Sequence, residues 1–394
     1  MNSINLYVSI GEALDKYSIL DIKSTKIEDA NKLTEVNKEK NDLYDKLEKF
    51  LLNYKYLYNC LTYINLQIWN ELEYVKCNIN SKEKLTFYES LWLKNEQRYK
   101  IKDKINIISN SEYKEQKGTS QKKVFVYHNF ELGDMFQMNG EIRYLTTIYD
   151  EVLLVCKIEY KDDIEFMYKD EHNIKLHIVK DSIDIQFNNY KNLLENFYKK
   201  KYDIYLAGLH KKILDTTELA QLFSYDIKFY KNFNMHYDVK YNFFYTYRNF
   251  EAEERVFRNF KEKLDKKNIS KYIFFNGDSN HVNIYMQKNI ESDKIYIFNP
   301  NINFYPKEHK FYDIWEEQYS KYLIPEYGIF IEKASVICMI YGALFKYAIL
   351  LNLNHIENKY IYVRNEICYN EICYNEFSKN NDWNIIYSDT INTY

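Results

Sequence analysis

The chain has 394 residues and a formal net charge of −3, and 46% of its residues are hydrophobic, which is enough for cores in two or three domains. This charge excludes the strongly basic surface of a nucleic-acid-binding protein. Met1–Ile10 lacks the basic and apolar parts of a secretory signal, and the six cysteines form no Cys-x-x-Cys pair. We therefore expect a cytoplasmic protein with free thiols.

Residues 1–112 are predicted to form an all-α domain, because neither Gly nor Pro occurs in residues 12–117. Apolar residues across Leu43–Ile68 recur in alternating steps of four and three, which is the heptad seam of a coiled coil. We therefore expect one long helix over Asn31–Lys76.

This long helix needs a partner for its seam. An earlier helix, Glu12–Lys26, can fold back on it, and a third helical segment is predicted at Ser81–Lys104. The region is either a docking or oligomerisation stalk or a cap over one face of the domains that follow. Polar residues without periodicity then indicate a linker at 113–122.

The first β-α unit begins with Val124–Tyr127, an apolar run that predicts a buried strand. After the turn at Gly133, apolar residues return at helical spacing: Met135, Met138, Ile142 and Leu145. In open α/β folds ligands lie at the carboxyl ends of the strands. Gly133 would let the backbone approach a ligand, and the helix amides suit a phosphate; the alternative is an ordinary turn.

Two further regions continue the alternation of strands and helices, which predicts two parallel sheets, one in 123–248 and one in 249–394. The remaining strands are predicted at Glu151–Cys156, Ile174–Val179, Tyr202–Ala207, Tyr272–Phe275, Lys294–Phe298, Ser335–Met339 and Tyr360–Val363. The apolar stretch Ala334–Leu353 is interrupted by Gly342 and Lys346, so we expect a buried strand and helix there and no transmembrane segment. Residues 366–394 stay unassigned.

The phrase from His128 to Lys157 resembles a group of glycosyltransferase-like proteins, of giant-virus and bacterial type, that have the GT-B fold. Their opening reads roughly H-x-G-L-G-D-x-I-x-x-N-G, with an Arg three residues later and a strand that ends in Lys. The matching residues are His128, Leu132, Gly133, Asp134, Asn139, Gly140, Arg143 and Lys157. Glu131 stands at the first glycine of G-L-G-D.

The resemblance implies an α/β protein with two Rossmann-like lobes that face a cleft. It also implies donor-binding roles for Asp278, which follows the first strand of the second lobe, and for Glu332. Where the group has a polar turn, this chain has Ile340-Tyr341-Gly342. A second phrase, Gly11–Ile27, resembles the start of a small helical domain of unknown function and indicates no chemistry.

Sugar transfer needs a base for the acceptor hydroxyl and positive charge for the leaving phosphate. The candidate bases are Asp134 and His128, which end the first strand; alternatively Asp134 is a helix cap and His128 a turn residue. The candidate phosphate ligands are Arg143, Lys157 and Arg248, with the amides near Gly277. Arg248 is otherwise a surface residue.

The chain contains no D-x-D motif, which favours a site without a metal, and it contains no G-x-S-x-G or P-loop motif. We therefore predict a metal-independent glycosyltransferase that needs no cofactor and moves a sugar from a nucleotide-sugar donor to a glycan or glycoprotein. The alternatives are a non-catalytic nucleotide- or sugar-binding homologue, or a helical scaffold that oligomerises through its N-terminal helices.

Overall fold

The computed structural model describes residues 6–78, 83–115, 121–128, 131–180, 194–207, 230, 235–277, 295–300, 305–318, 322–363 and 383–387. Asp278 lies outside these residues. No helix in the described part of the chain is both long enough and apolar enough to cross a membrane.

The described residues of the N-terminal region form four helices: α1 Ile10–Lys26, α2 Ala30–Asn53, α3 Lys55–Asn78 and α4 Glu83–Ile108. Ser9 caps α1 by accepting a hydrogen bond from the Glu12 amide. Five positions of the predicted seam are buried, namely Leu47, Leu57, Leu61, Ile64 and Ile68, and the other three are half-buried.

The prediction of a single long helix was wrong. The chain leaves helical geometry at Tyr54, with φ −116° and ψ 27°, so α2 and α3 are separate helices. Both helices pack against α1, and α3 also contacts α4 and the first lobe. Tyr56 of α3 stacks on Tyr245 at 4.7 Å, and the Cys60 thiol donates to the Asn242 carbonyl.

The packing of α1 explains the Gly11–Ile27 phrase. A Cβ atom at Gly11 would lie 2.5 Å from the Lys102 carbonyl oxygen, so only glycine lets α1 approach α4 this closely. Asp15 accepts a hydrogen bond from the Asn65 amide at 2.8 Å inside the bundle. These residues hold helices together.

The first lobe comprises β1 Lys123–Tyr127, α5 Leu132–Leu145, β2 Glu151–Lys157, α6 Lys161–Met167, β3 Ile174–Val179 and β4 Asp203–Leu206. Its strands are parallel and lie in the order β3-β2-β1-β4. β1 is buried on both faces, which explains why its sequence is a continuous apolar run.

The second lobe follows a short helix, α7 Val239–Asn242, and its sheet is parallel with the order β6-β5-β7-β8-β9. Its elements are α8 Phe250–Lys266, β5 Tyr272–Asn276, β6 Tyr296–Phe298, α9 Tyr312–Gln318, α10 Gly328–Glu332, β7 Val336–Ile340, α11 Ala343–Ala348, β8 Asn358–Val363 and β9 Trp383–Tyr387. The fold is therefore α/β with two parallel sheets after an N-terminal helical region, as predicted. β9 comes from the tail that the sequence left unassigned.

The helical region packs directly on the first lobe. Gln97 on α4 donates to the Thr147 hydroxyl at 3.0 Å, and Lys100 donates to Asp150 at 3.0 Å. Buried residues of the helices and of both lobes form one continuous core. Of the two interpretations left open, this packing fits the cap over the first lobe.

Candidate functional site at the junction of the lobes

Each sheet has a point where the chain reverses the direction in which it adds strands. In the first lobe it lies between β1 and β4, and in the second between β5 and β7. Parallel sheets bind ligands outside the carboxyl ends of the strands at such points. The helices that follow β1 and β7, α5 and α11, pack against each other. The two switch points therefore face each other across the junction of the lobes.

Asp134 and Lys346 join these two helices. The Lys346 ammonium donates to Asp134 Oδ1 at 2.6 Å, and the two side chains are only 15% and 18% exposed. A Cβ atom at Gly133 would lie 2.9 Å from Lys346 Cδ and 3.2 Å from Ala343 Cα. The glycine in which we expected a close approach to phosphate is thus packed against the other lobe.

Glu131 and Lys157 form a second pair, at the carboxyl ends of β1 and β2. The Lys157 ammonium contacts Glu131 Oε1, and the Tyr160 hydroxyl donates to Glu131 Oε2. Partial burial acts to raise the pKa of Glu131, but the hydrogen bonds from Lys157 and Tyr160 outweigh it and lower that pKa. The carboxylate is therefore ionised and holds the lysine.

His128 follows β1 and is buried. Burial lowers the pKa of its imidazole to about 3, and the nearby charge of Lys157 acts in the same direction. The ring is neutral at neutral pH. A base with so low a pKa has little driving force to take a proton, so His128 is the weaker of the two candidate bases.

Arg248 contacts Glu332, so two of the predicted site residues lie together at the edge of the second lobe. Its Nε donates to both carboxylate oxygens of Glu253, at 3.0 and 2.8 Å, and its NH1 donates to Glu332 Oε2 at 2.7 Å. The Arg248 side chain is largely buried. Arg248 is therefore not a surface residue, which was the alternative interpretation of the sequence. Its guanidinium binds two carboxylates.

Tyr347 links this ion cluster to the contact between the helices. It follows Lys346 in α11, and its ring packs 5.1 Å from Phe136 of α5. Its hydroxyl donates to the Pro325 carbonyl at 3.0 Å and lies 3.5 Å from the Thr246 hydroxyl, and both this hydroxyl and the Arg248 guanidinium border Gly328. Asp134 and Arg248 thus belong to one continuous interface.

Arg143 lies apart from this interface and is fully buried. It donates to both oxygens of Asp170 at 2.8 Å and to Glu171 at 2.8 Å. The rings of Tyr56, Tyr168 and Tyr245 surround its guanidinium at 5.0 to 5.3 Å. This enclosed and paired position argues against the expectation that Arg143 binds donor phosphate.

Gly277 directly follows β5, and its carbonyl oxygen accepts a hydrogen bond from the Asn299 amide at 3.1 Å. Buried amide side chains, Asn276 and Asn299, therefore mark the carboxyl ends of β5 and β6. Within the described part of the chain, no group of three or more His, Cys, Asp or Glu side chains is placed to hold a metal ion.

Sequence reasoning missed the partners of its candidates. Lys346 was noticed only as a charge that interrupts an apolar stretch, and Tyr160, Glu253 and Tyr347 were not singled out. A lysine inside an apolar helix was the available signal, because a buried charge requires an opposite charge nearby. The pattern could not show that this opposite charge is Asp134, which lies 212 residues away.

Comparisons with known proteins give little further. No family model matches the chain, and no curated protein matches it. Among solved structures, the crystal structure of the glycosyl transferase family 9 from Veillonella parvula DSM 2008 is similar at 11% identity and a TM-score of 0.39. That similarity covers 71% of this chain and 90% of the other.

Proposed function

We propose that the chain is a glycosyltransferase that binds a nucleotide-sugar donor where the two switch points face each other and transfers the sugar to a glycan or glycoprotein. The observation that supports this best is the meeting of α5 and α11, each placed after the central strand of its sheet. The resemblance of the His128–Lys157 phrase points to the same activity.

The leaving nucleoside diphosphate would be balanced by Lys157, Lys346 and Arg248. Each of these cations is now paired with a carboxylate of the chain: Glu131, Asp134, and Glu253 with Glu332. An entering diphosphate would replace these carboxylates on the three cations, since phosphate oxygens suit the same donors. No positive charge beyond these side chains would be required. Because the sequence has no D-x-D motif, we propose that no metal is needed.

Asp134 is the proposed base, and Gly277, Asp278 and Glu332 are proposed to contact the donor. In the structure the Asp134 carboxylate is held by Lys346, and the space beside Gly133 is filled by α11. Binding of donor and acceptor at this place therefore requires α5 and α11 to separate. Separation would free the carboxylate to accept the proton of the acceptor hydroxyl.

A second candidate function is non-catalytic binding of a nucleotide or sugar. Three features favour it: Glu131 neutralises Lys157, β7 ends at apolar Ile340 and is followed by Tyr341, and His128 is a weak base. Both functions use the same junction, so they differ only in turnover.

The test has two stages. A thermal-shift panel of nucleoside diphosphates and nucleotide sugars should show stabilisation by at least one compound, because binding only to the folded state raises its stability. A labelled form of that donor should then be turned over, with and without a chelator, by the wild type and not by Asp134→Asn. Binding without turnover would favour the non-catalytic function, and no stabilisation by any compound would refute both.

A further inference from the structure

Glu131 differs from the other acids at the junction in its exposure. Its side chain is 65% exposed, whereas the Lys157 side chain it contacts is 8% exposed. The Asp134 and Glu253 carboxylates are much more deeply buried in their own pairs. Glu131 can therefore turn into water at low cost, while Lys157 cannot leave its place.

The surroundings of the Glu131 carboxylate are those of an anion site. It takes a charged hydrogen bond from Lys157 and a hydroxyl hydrogen bond from Tyr160, and it lies at the start of α5. Cations, hydroxyl donors and helix N-termini are the groups that hold phosphate oxygens. Glu131 does not use its side chain to cap α5, although it is the N-cap residue.

We propose that Glu131 is a specificity-determining residue that occupies the phosphate position on Lys157 and is displaced by the diphosphate of an incoming nucleotide. The proposal rests on the function proposed above. Small anions gain little from the exchange, since they replace one ion pair by another of similar energy. A nucleoside diphosphate displaces the acid because its nucleoside adds contacts elsewhere in the junction.

Glu131→Gln tests this, because glutamine has the same shape and can still contact Tyr160. Calorimetry with inorganic pyrophosphate and with ADP, GDP, CDP and UDP should show binding of pyrophosphate and of at least one nucleotide about three- to tenfold tighter than to the wild type. Lys157→Met added to Glu131→Gln should abolish the gain.

The control is Glu165→Gln on α6, which removes an exposed acid that lies 3.7 Å from Lys161 and leaves Glu131 in place. It should bind pyrophosphate as the wild type does, which separates the local effect from the change in net charge. Should Glu131→Gln fail to fold, Glu131→Ala also removes the carboxylate from Lys157, keeps the Tyr160 hydroxyl and should give a gain of the same sign.

The outcomes separate the two proposals. If the wild type binds a nucleoside diphosphate and Glu131→Gln binds it no more tightly, the role of Glu131 is refuted and the proposed function stands. If neither protein binds pyrophosphate or any of the nucleotides, both are refuted. A gain that survives Lys157→Met would also overturn the assignment, because the displaced acid would then act elsewhere.

Discussion

Lys346 of the second lobe donates to Asp134 of the first lobe at 2.6 Å, and this pair joins the two helices that follow the central strands of the sheets. Both side chains are mostly removed from water. A charge pair thus closes the junction at the place where we propose that the ligand enters. The same two residues can hold the lobes together or contact a substrate, but not both at once.

The first prediction measures this pair. A double-mutant cycle of Asp134→Asn and Lys346→Met should give a coupling of about 1–3 kcal/mol in urea unfolding, because neither charge is well solvated without the other. The exposed pair Lys161–Glu165 serves as the control and should give at most ~0.5 kcal/mol. A coupling near zero for Asp134 and Lys346 would mean that the junction is held by apolar packing alone.

The second prediction concerns Arg248. We expect Arg248→Ala to weaken nucleotide binding by ~1.5–3 kcal/mol, the scale of a hydrogen bond to a charged group, and Arg248→Lys to restore only part. From the structure we also expect Arg248→Ala to lower the free energy of unfolding by ~3–5 kcal/mol, because Glu253 and Glu332 lose their cation.

Adding Glu253→Gln to Arg248→Ala separates the two effects of Arg248. The second change removes one uncompensated acid, so stability should recover in part while nucleotide affinity should stay low. Calorimetry on the folded variants measures the affinity and urea unfolding the stability. Unchanged affinity in Arg248→Ala would leave Arg248 only its role in holding the two acids.

The third prediction concerns Arg143, which the structure encloses and pairs with two acids. Lysine keeps the charge but not the planar fork that bonds Asp170 and Glu171. Arg143→Lys should lower the free energy of unfolding by ~1.5–3 kcal/mol and leave the nucleotide dissociation constant unchanged. Arg255→Lys on the exposed surface of α8 is the control and should change neither quantity. Weaker nucleotide binding by folded Arg143→Lys would contradict its purely internal role.

The fourth prediction concerns Leu57. From the sequence alone, Leu57→Asp should unfold or detach a helical domain and leave donor binding measurable. Leu57 is instead buried in a core that the helices share with the lobes. We therefore expect Leu57→Asp to reduce donor binding as well. Leu57→Ala should cost about 2–5 kcal/mol in a single transition, whereas exposed Leu52→Ala should stay within ~0.5 kcal/mol. Early melting of the helices alone would show that they fold independently.

The fifth prediction uses Glu141, a fully buried acid on α5 whose two carboxylate oxygens have no hydrogen-bond partner among the described residues. Burial raises the pKa of Glu141 well above its ordinary value. At a pH between the pKa values of Glu141 in the unfolded and folded states, the folded state binds more protons. The contribution of Glu141 to stability therefore falls as the pH rises.

Glu141→Gln removes that titration. We expect this substitution to stabilise the protein by ~1–3 kcal/mol at about pH 8. The difference should shrink toward about pH 4, where the side chain at position 141 of the folded protein is uncharged in the wild type and in the variant. Urea unfolding across this range gives the measurement. Glu165→Gln should show no such pH dependence, since its acid is exposed. An equal effect of Glu141→Gln at both ends of the range would mean that charge is not the cause.

The sequence by itself determined the local elements. The strand β3 was predicted with its observed bounds, Ile174–Val179, and the seam of Leu57, Leu61 and Ile64 was correctly predicted to be buried. These features depend on patterns within a few turns or a few alternating residues, and burial acts on each pattern directly. The alternation of strands and helices also predicted that the strands of both sheets are parallel.

Only the tertiary structure decided what the charged residues do. Arg143 and Arg248 were both candidate phosphate ligands in the sequence, yet one is enclosed by Asp170 and Glu171 and the other lies at the junction. The break at Tyr54 has no Gly or Pro to announce it, and only the backbone angles of the folded chain show it. A charge is satisfied by whichever opposite charge the fold brings near, and that neighbour can lie hundreds of residues away in the chain.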